Sequence, residues 1–187
     1  VLRYLCRTKT LGILLPRTVS TNQFSSPGLR TFIDSDWAGC TATRKSRSGY
    51  IIFYSDAPIL WKSSKQTCVA LSSTEAEYIA AATSAKDVAW LRRLLSELSL
   101  KKISTPTPLY IDNWGALELA STNTTNQRTR HIDIRYHYIR QQVAEQAVKL
   151  LRVPTAQNTA DTFTKLLPTI GFVECREELG VVNVTSN

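Results

Sequence analysis

Runs of apolar residues separated by polar turns divide this chain into predicted strands and helices. Apolar runs at residues 29–34, 49–55 and 59–71 are joined by a polar loop and a short turn, which predicts three antiparallel strands. Residues 109–112 and 148–153 predict two further strands, each preceded by helical segments. Strands that alternate with helices are typically parallel. We therefore expect an α/β fold with a mixed five-stranded sheet, three antiparallel strands and then two parallel, flanked by helices.

Helical spacing and capping signals mark the segments between these strands. Thr74 and Glu77 form a T-x-x-E capping box, which predicts a helix ending near Ala85. A second helix is predicted from Asp87. Its apolar positions share one face: Val88, Leu91, Leu94, Leu95 and Leu98.

Shorter segments complete the predicted organisation. Further helices are predicted at residues 114–120, 132–143 and 155–165. Residues 1–7 and 12–15 predict a short helix and strand before a linker rich in Ser, Thr, Asn, Pro and Gly. The predicted domain limits are residues 1–28 for a connecting segment and linker, 29–168 for the main domain, and 169–187 for a loosely attached tail.

Composition adds a preferred partner and a compartment. The chain has 187 residues, 43% of them hydrophobic, and carries 23 Lys and Arg against 15 Asp and Glu, a net charge of +8. That balance favours an anionic partner such as nucleic acid, although solubility alone is the simpler alternative.

The four cysteines show no C-x-x-C pair, which argues against zinc and favours an intracellular protein. No apolar run approaches the roughly 18 residues of a membrane span. The absence of Met and the start at Val1 suggest a fragment of a longer polypeptide.

Four carboxylates occupy positions that can converge at one edge of the sheet. Asp34 and Asp112 end apolar strands, Glu77 lies in the first turn of a helix, and Asp161 opens the last predicted helix. Oxygen ligands without thiol or imidazole partners favour Mg²⁺, or Mn²⁺. Two such ions roughly 4 Å apart activate water and stabilise charge when a phosphodiester is hydrolysed. The pattern predicts that these four acids are catalytic and hold two metal ions.

Each acid also has a purely structural explanation. Asp34 and Asp112 fit turns after strands, Glu77 fits the reciprocal acid of the capping box, and Asp161 fits an acid that complements the helix dipole. The metal interpretation gains because one sheet topology can bring all four together.

Two neighbouring acids compete for these roles. Asp36 lies two residues after Asp34, and Glu75 two residues before Glu77. Asp34 is preferred because it ends the apolar run, and Glu77 because it leads directly into the packed part of the helix.

Six residues are candidate contacts to nucleic acid: Arg44, Lys45, Arg47, Ser73, Thr74 and Asn113. The three basic residues lie in the loop after the first strand, where they would hold phosphates or simply be solvated. The hydroxyl residues can reach the 2′-OH that distinguishes RNA from DNA, and Asn113 the backbone. His131 is a helper acid/base or a capping residue. Core packing is predicted for five other side chains: Trp37, Trp61, Trp90, Trp114 and His137.

The order of short motifs resembles the ribonuclease H domain of copia-type retrotransposon polyproteins. The matching stretches are 34–39, 47–50, 61–66, 72–78, 112–113, 128–133 and 160–165, in consistent order over residues 29–168. The resemblance implies a ribonuclease H fold. It also implies hydrolysis of the RNA strand of RNA–DNA hybrids, with products ending in a 5′-phosphate and a 3′-hydroxyl. The metal-binding acids of the family map onto Asp34, Glu77, Asp112 and Asp161.

The resemblance also implies a setting. Residues 1–16 resemble the segment that joins reverse transcriptase to this domain, so we expect the reverse transcriptase portion of the same polyprotein as a partner and a cytoplasmic virus-like particle as the location. The loop at 153–158 lacks a His that cellular ribonucleases H carry. Two alternatives stay open, an integrase-like nuclease that cuts DNA and a non-catalytic module that binds or tethers the hybrid.

Overall fold

The computed structural model describes residues 1–15, 24, 28–98, 103–113, 115–116 and 133–184. The helices and strands in chain order are α1 (Leu2–Arg7), β1 (Leu11–Ile13), β2 (Leu29–Asp36), β3 (Arg47–Tyr54), β4 (Ala57–Lys65), α2 (Ser73–Glu97), β5 (Thr107–Ile111), α3 (Asp133–Ala144), β6 (Val148–Arg152), α4 (Thr169–Glu178) and β7 (Val181–Asn183). Two 3₁₀ segments, Thr155–Gln157 and Thr159–Phe163, lie between β6 and α4. Residues 115–116 of the predicted helix at 114–120 are helical, whereas its other residues and most of the predicted linker lie outside the described residues.

The main sheet has the strand order β4-β3-β2-β5-β6. β2 pairs antiparallel with β3 and parallel with β5. At the two edges, β4 pairs antiparallel with β3, and β6 pairs parallel with β5. The predicted mixed five-stranded sheet is therefore confirmed. Seven of the eight residues of the central strand β2 are buried, as expected for a strand covered on both faces.

Apolar side chains pack against both faces of this sheet. On one face, Ile33, Tyr50 and Leu109 contact the buried side of α2 and Ile139 of α3. The opposite face carries a smaller cluster of buried residues: Phe32, Ile51, Phe53, Val153 and Ala160. Fully burying one such large side chain contributes about 1.5–3 kcal/mol. The two clusters fix β2 and β3 from above and below, which makes them a rigid support for the residues at their ends.

Helix α2 is a single helix of 25 residues, so the predicted break between Ala85 and Asp87 is wrong. No Gly or Pro occurs at residues 79–88, and both Ala85 and Val88 are completely buried in the core. The buried face of the helix therefore continues on both sides of the exposed Lys86 and the half-buried Asp87. Tyr50 donates a hydrogen bond to Asp87 across this region.

The capping box of α2 lies two residues earlier than predicted. Ser72 Oγ accepts a hydrogen bond from Glu75 N at 3.1 Å, and Glu75 Oε2 accepts one from Leu71 N at 2.9 Å. Two overlapping patterns exist in this sequence, and the earlier one forms the cap. Glu77 has no role in the cap, so its structural explanation fails.

Strand β4 ends at Lys65, short of the predicted residue 71. Gln66 turns the chain away from the sheet, since its backbone N donates to Ser46 O at 2.8 Å. Its side-chain Nε2 donates to Ser48 Oγ and to Ala76 O, both at 2.9 Å. These buried hydrogen bonds set the path from β4 to α2.

Residues 155–165 form two 3₁₀ segments and not the predicted α-helix. Asn158 lies between the segments, and its side-chain oxygen accepts a hydrogen bond from Ala160 N at 3.2 Å. An Asn that bonds to nearby backbone competes with helix continuation. The second segment therefore starts anew at Thr159, with Asp161 near its centre.

Residues 169–184 are not the loosely attached tail that the sequence predicts. β7 pairs antiparallel with β1, and Leu14 N donates to Gly180 O at 2.7 Å. Leu179 packs on the smaller apolar cluster, and the ring of Phe172 lies 5.8 Å from that of Tyr4. Apolar side chains thus attach the segment, whereas the domain limits themselves remain predictions. No helix among the described residues is both long and apolar enough to cross a membrane.

Candidate active site

Three of the four predicted acids meet at one edge of the sheet. Asp34, Asp112 and Asp161 each offer a carboxylate oxygen, and these three atoms all lie within 4.8 Å of one another. The pairing of β2 with β5 explains part of this arrangement, because Ile33 is opposite Ile111 in parallel strands. Asp34 and Asp112 follow these partners directly, so both lie near the carboxyl ends of adjacent strands.

Glu77 reaches the same edge from helix α2. Its Oε1 accepts hydrogen bonds from Ser35 N at 2.9 Å and from Ser35 Oγ at 3.0 Å. Its Oε2 is buried and has no hydrogen-bond donor among the described residues. Burial, followed by the charges of Asp34 and Asp112, raises the pKa of Glu77 to about 8. The fourth acid is therefore electrostatically part of the cluster.

A hydrogen bond and a close packing contact between its 3₁₀ segment and the sheet bring Asp161 to the cluster. Asn158 Nδ2 donates a hydrogen bond to Ile33 O at 2.9 Å. Gly49 provides the space, since a Cβ added there would lie 2.6 Å from Thr164 Cγ2 and 2.8 Å from Phe163 Cβ. Burial and the charge of Asp34 raise the pKa of Asp161 to about 6.

Two residues that sequence reasoning missed contact the innermost acid. Thr164 Oγ1 donates a hydrogen bond to Asp34 Oδ2. Lys165 Nζ lies 3.1 Å from Asp34 Oδ1 and 3.1 Å from Asp161 Oδ1. Burial by itself lowers the pKa of Lys165, but Asp34 and Asp161 raise it above its usual value. The Lys165–Asp161 pair had a sequence signal, because the lysine follows the acid by four residues.

The chemistry of this cluster suits a hard divalent cation. The three clustered aspartates supply oxygen donors alone, with no thiol or imidazole in the group. Asp34 is 1% exposed, and Asp112 and Asp161 are half-buried, so the carboxylates repel one another in partly desolvated surroundings. The unpartnered oxygen of Glu77 adds a further acceptor without a donor. A cation would satisfy both features, so these residues fit a divalent metal ion.

Two candidate nucleic-acid contacts lie next to the cluster. Thr74 Oγ1 is 3.5 Å from Asn113 Oδ1, which also accepts a hydrogen bond from Ala116 N at 3.2 Å. Asn113 follows Asp112 directly, and Ser73 begins α2 with an exposed side chain. A Cβ added at Gly115 would lie 2.9 Å from Thr74 Oγ1, so these groups form one closely packed polar surface.

The basic candidates lie on the β3 side of the site. Arg47 pairs with Asp36 in the register of β2 and β3, and its Nη1 is 3.4 Å from Ser63 Oγ. Arg44 and Lys45 belong to the preceding loop, where Arg44 N donates to Cys40 O at 2.7 Å. Arg44 and Arg47 are exposed, and Lys45 is half-buried. All three are available to solvent, and their role as phosphate contacts remains a prediction.

The prediction of core packing for the tryptophans and His137 is wrong wherever the structure describes them. Trp37 and Trp61 are each 50% exposed, Trp90 is 56% exposed, and His137 is exposed on α3. Trp37 Nε1 nevertheless donates to Ala70 O at 3.0 Å, and Trp61 lies on the edge strand β4. Strand ends and an edge strand leave large side chains with one open side. Trp114 and His131 lie outside the described side chains.

Comparison by sequence finds relatives among plant transposons. The chain is 42% identical over 157 residues to a retrovirus-related Pol polyprotein from transposon TNT 1-94 of Nicotiana tabacum, which covers 84% of the chain. It is 38% identical over 184 residues to the corresponding polyprotein from transposon RE2 of Arabidopsis thaliana, which covers 98% of the chain. In both comparisons the chain spans only 12% of the relative's length. No protein-family profile matches the chain.

Comparison by structure finds ribonuclease H folds. The N-terminal RNase H domain of Rv2228c from Mycobacterium tuberculosis aligns with a TM-score of 0.53 at 15% identity, covering 81% of this chain and 98% of that one. LC11-RNase H1, solved in complex with an RNA/DNA hybrid, aligns with a TM-score of 0.52 at 13% identity, covering 73% and 93%. At these identities the likeness concerns the fold.

Proposed function

Because this chain is a ribonuclease H domain of the kind found in copia-type Pol polyproteins, we propose that it hydrolyses the RNA strand of RNA–DNA hybrids during reverse transcription of a retrotransposon. The convergence of Asp34, Asp112 and Asp161 within 4.8 Å is the observation that carries this proposal. LC11-RNase H1, which shares the fold, was solved with such a hybrid. The reverse transcriptase portion of the same polyprotein is the proposed partner that supplies the substrate.

The proposed site holds two Mg²⁺ ions, or Mn²⁺, through Asp34, Glu77, Asp112 and Asp161. Bound ions of this kind activate a water molecule and stabilise the charge on the departing oxygen of a phosphodiester. Ser35 orients Glu77 through two hydrogen bonds to one carboxylate oxygen, and the second oxygen is buried without a donor among the described residues. Asn158 holds Asp161 in position by its bond to the central strand.

The remaining candidate residues are proposed to bind the hybrid. Thr74 and Asn113 lie beside Asp112 and present a hydroxyl and an amide, the groups that recognise a 2′-OH and the backbone of the RNA strand. Ser73 adds an exposed hydroxyl at the start of the same helix. Arg44, Lys45 and Arg47 would contact phosphates, which positions a hybrid without reading its sequence.

Cleavage of a labelled hybrid with and without Mg²⁺ tests this function. The wild-type chain is expected to cut the RNA strand only with the metal, and to leave an RNA duplex and a DNA duplex intact. Asp34→Asn is expected to lose at least about a hundredfold in rate, the scale of a single catalytic group, while remaining folded. Glu97→Gln is the matched control, since Glu97 is exposed at the far end of α2.

Two results would contradict the proposal. One is full cleavage by Asp34→Asn, and the other is cleavage that a chelator does not reduce. Salt-sensitive binding of the hybrid without any Mg²⁺-stimulated cleavage would instead favour a non-catalytic binding module.

A further inference from the structure

Lys165 already places a positive charge inside the acidic cluster. Its ammonium group is 3.1 Å from an oxygen of Asp34 and 3.1 Å from an oxygen of Asp161. Both carboxylates belong to the group whose oxygens lie within 4.8 Å of one another. The side chain therefore neutralises the same two carboxylates that a divalent ion would bind.

Both oxygens of Asp34 are engaged by consecutive residues of one segment. Oδ1 is paired with Lys165, and Oδ2 accepts the hydrogen bond from the hydroxyl of Thr164. Asp34 is 1% exposed, so water has almost no access to it. Each carboxylate oxygen has two acceptor positions, so the hydrogen bond from Thr164 leaves room for an ion. The ammonium group 3.1 Å from Oδ1 instead repels a divalent cation that approaches the same oxygens.

Lys165 is the donor that is able to withdraw. Its side chain is 37% exposed, whereas Thr164 is buried. The backbone N of Lys165 is anchored to Asp161 O at 2.9 Å, so only the side chain has to move. Lysine carries its charge on a flexible four-carbon stem and is strongly hydrated, which favours release into solvent.

We propose that Lys165 is a tethered counter-cation, which holds the acidic cluster together without metal and must leave Asp34 and Asp161 before a divalent ion can bind. This proposal rests on the function proposed above, because it takes the cluster to be the divalent-ion site. It follows that Lys165 sets the metal affinity below the value that the carboxylates alone would give. Lys165 then acts as a positioning residue for metal loading.

Calorimetric titration of Mn²⁺ into the purified, metal-free chain tests the competition without any substrate. Lys165→Met is expected to bind Mn²⁺ about tenfold more tightly than the wild type. A nearby positive charge lowers the pKa of a carboxylate by about one to three units, and a tenfold change in affinity corresponds to the smallest of these shifts. Lys149→Met is the matched control, since Lys149 is exposed at the start of β6 and its removal changes the net charge equally. Its affinity is expected to equal that of the wild type.

Acetylation of the wild-type chain, read by mass spectrometry, gives a result that needs no variant to fold. Lys165 is expected to react faster with Mn²⁺ present than without it, whereas Lys149 reacts equally in both. Equal Mn²⁺ affinity of Lys165→Met and the wild type, or equal reactivity of Lys165 with and without Mn²⁺, would overturn the inference.

Asp34→Asn distinguishes failure of this inference from failure of the proposed function. If Asp34→Asn loses Mn²⁺ binding while Lys165→Met binds like the wild type, only the role of Lys165 is overturned. If Asp34→Asn binds Mn²⁺ as the wild type does, the acidic cluster is not the metal site, and both proposals fall.

Discussion

Glu77 makes the stability of the metal-free chain depend on pH. Its carboxyl group ionises near pH 4.5 in ordinary surroundings but near pH 8 in the folded chain. Between these two values the folded state holds a proton that the unfolded state has lost. The free energy of unfolding therefore falls as the pH rises through this window, since the unfolded state binds fewer protons there.

We expect the metal-free chain to be less stable at pH 8.5 than at pH 6, because folded Glu77 loses its proton between these two pH values. Glu77→Gln is expected to reduce that difference, because the amide has no proton to lose. Urea denaturation at both pH values measures it, with Glu97→Gln as the exposed control. A pH dependence that is identical in Glu77→Gln and the wild type would contradict the assigned pKa.

Sequence reasoning singled out the four acids, three of which the structure brings together, but missed the residues that hold them. Asp34 and Asp112 were recognisable because each ends an apolar run, and Glu77 because the helix signal surrounds it. Thr164 contacts a residue 130 positions earlier, and Ser35 contacts one 42 positions later. No local pattern marks such pairs, since the packing of the helix and the 3₁₀ segment on the sheet determines which residues become neighbours.

The 3₁₀ segment Thr159–Phe163 is the element whose position decides whether Asp161 joins the other acids. It has no strand pairing of its own and lies against β3 at Gly49. Asn158 supplies its bond to the central strand. The acid on this segment is therefore attached by side-chain and close-packing contacts, whereas Asp34 and Asp112 are attached by strands.

Gly49→Ala is expected to displace this segment, because the added Cβ would lie 2.6 Å from Thr164 Cγ2 and 3.3 Å from Ala160 O. Overpacking of this kind costs about 1–3 kcal/mol of unfolding free energy. Hybrid cleavage is expected to fall more than the loss of stability explains, because Asp161 and Lys165 move with the segment. Thermal unfolding and cleavage are measured on the same preparation.

Gly171→Ala is the matched control for that substitution. An added Cβ at Gly171 meets nothing within 4 Å, and the residue lies inside α4, where Ala is favoured over Gly by up to about 1 kcal/mol. Unchanged activity and stability in Gly49→Ala would contradict the close packing of the 3₁₀ segment on β3 at Gly49.

Element boundaries were predictable where one signal dominates and were wrong where two signals overlap. The strands β2 and β3 follow clear apolar runs, and the structure confirms them. The S-x-x-E and T-x-x-E patterns at residues 72–77 compete, and only the fold shows which one caps α2. The helix predicted at residues 155–165 failed because Asn158 bonds to the backbone of the next segment.

Across the whole molecule, the two ends of the described chain are attached to each other. β1 and β7 form a separate two-stranded sheet, and Val184 N donates to Thr10 O at 2.8 Å. A two-stranded sheet is marginal in water by itself. Its stability therefore depends on the apolar contacts of Leu179 with the smaller cluster under the main sheet.

A chain ending at Pro168 is expected to unfold at a lower temperature than a chain ending at Val184, because it loses β7 and the contacts of Leu179. Residues 1–15 are also expected to be cut faster by a protease, since β1 loses its pairing partner. Limited proteolysis followed by mass spectrometry measures the second effect. Equal melting temperatures and equal cutting rates would show that residues 169–184 are a dispensable appendage after all.

The separation of Asp34 from Asp161 along the chain has a consequence for synthesis on the ribosome. Translation delivers Asp34, Glu77 and Asp112 well before Asp161 and Lys165, and the segment from Asn158 to Thr164 must be free of the exit tunnel before it can dock on β3. A nascent polypeptide accordingly carries three of its acids while it still lacks the fourth. The acidic cluster is therefore completed only once residues 158–165 have left the exit tunnel.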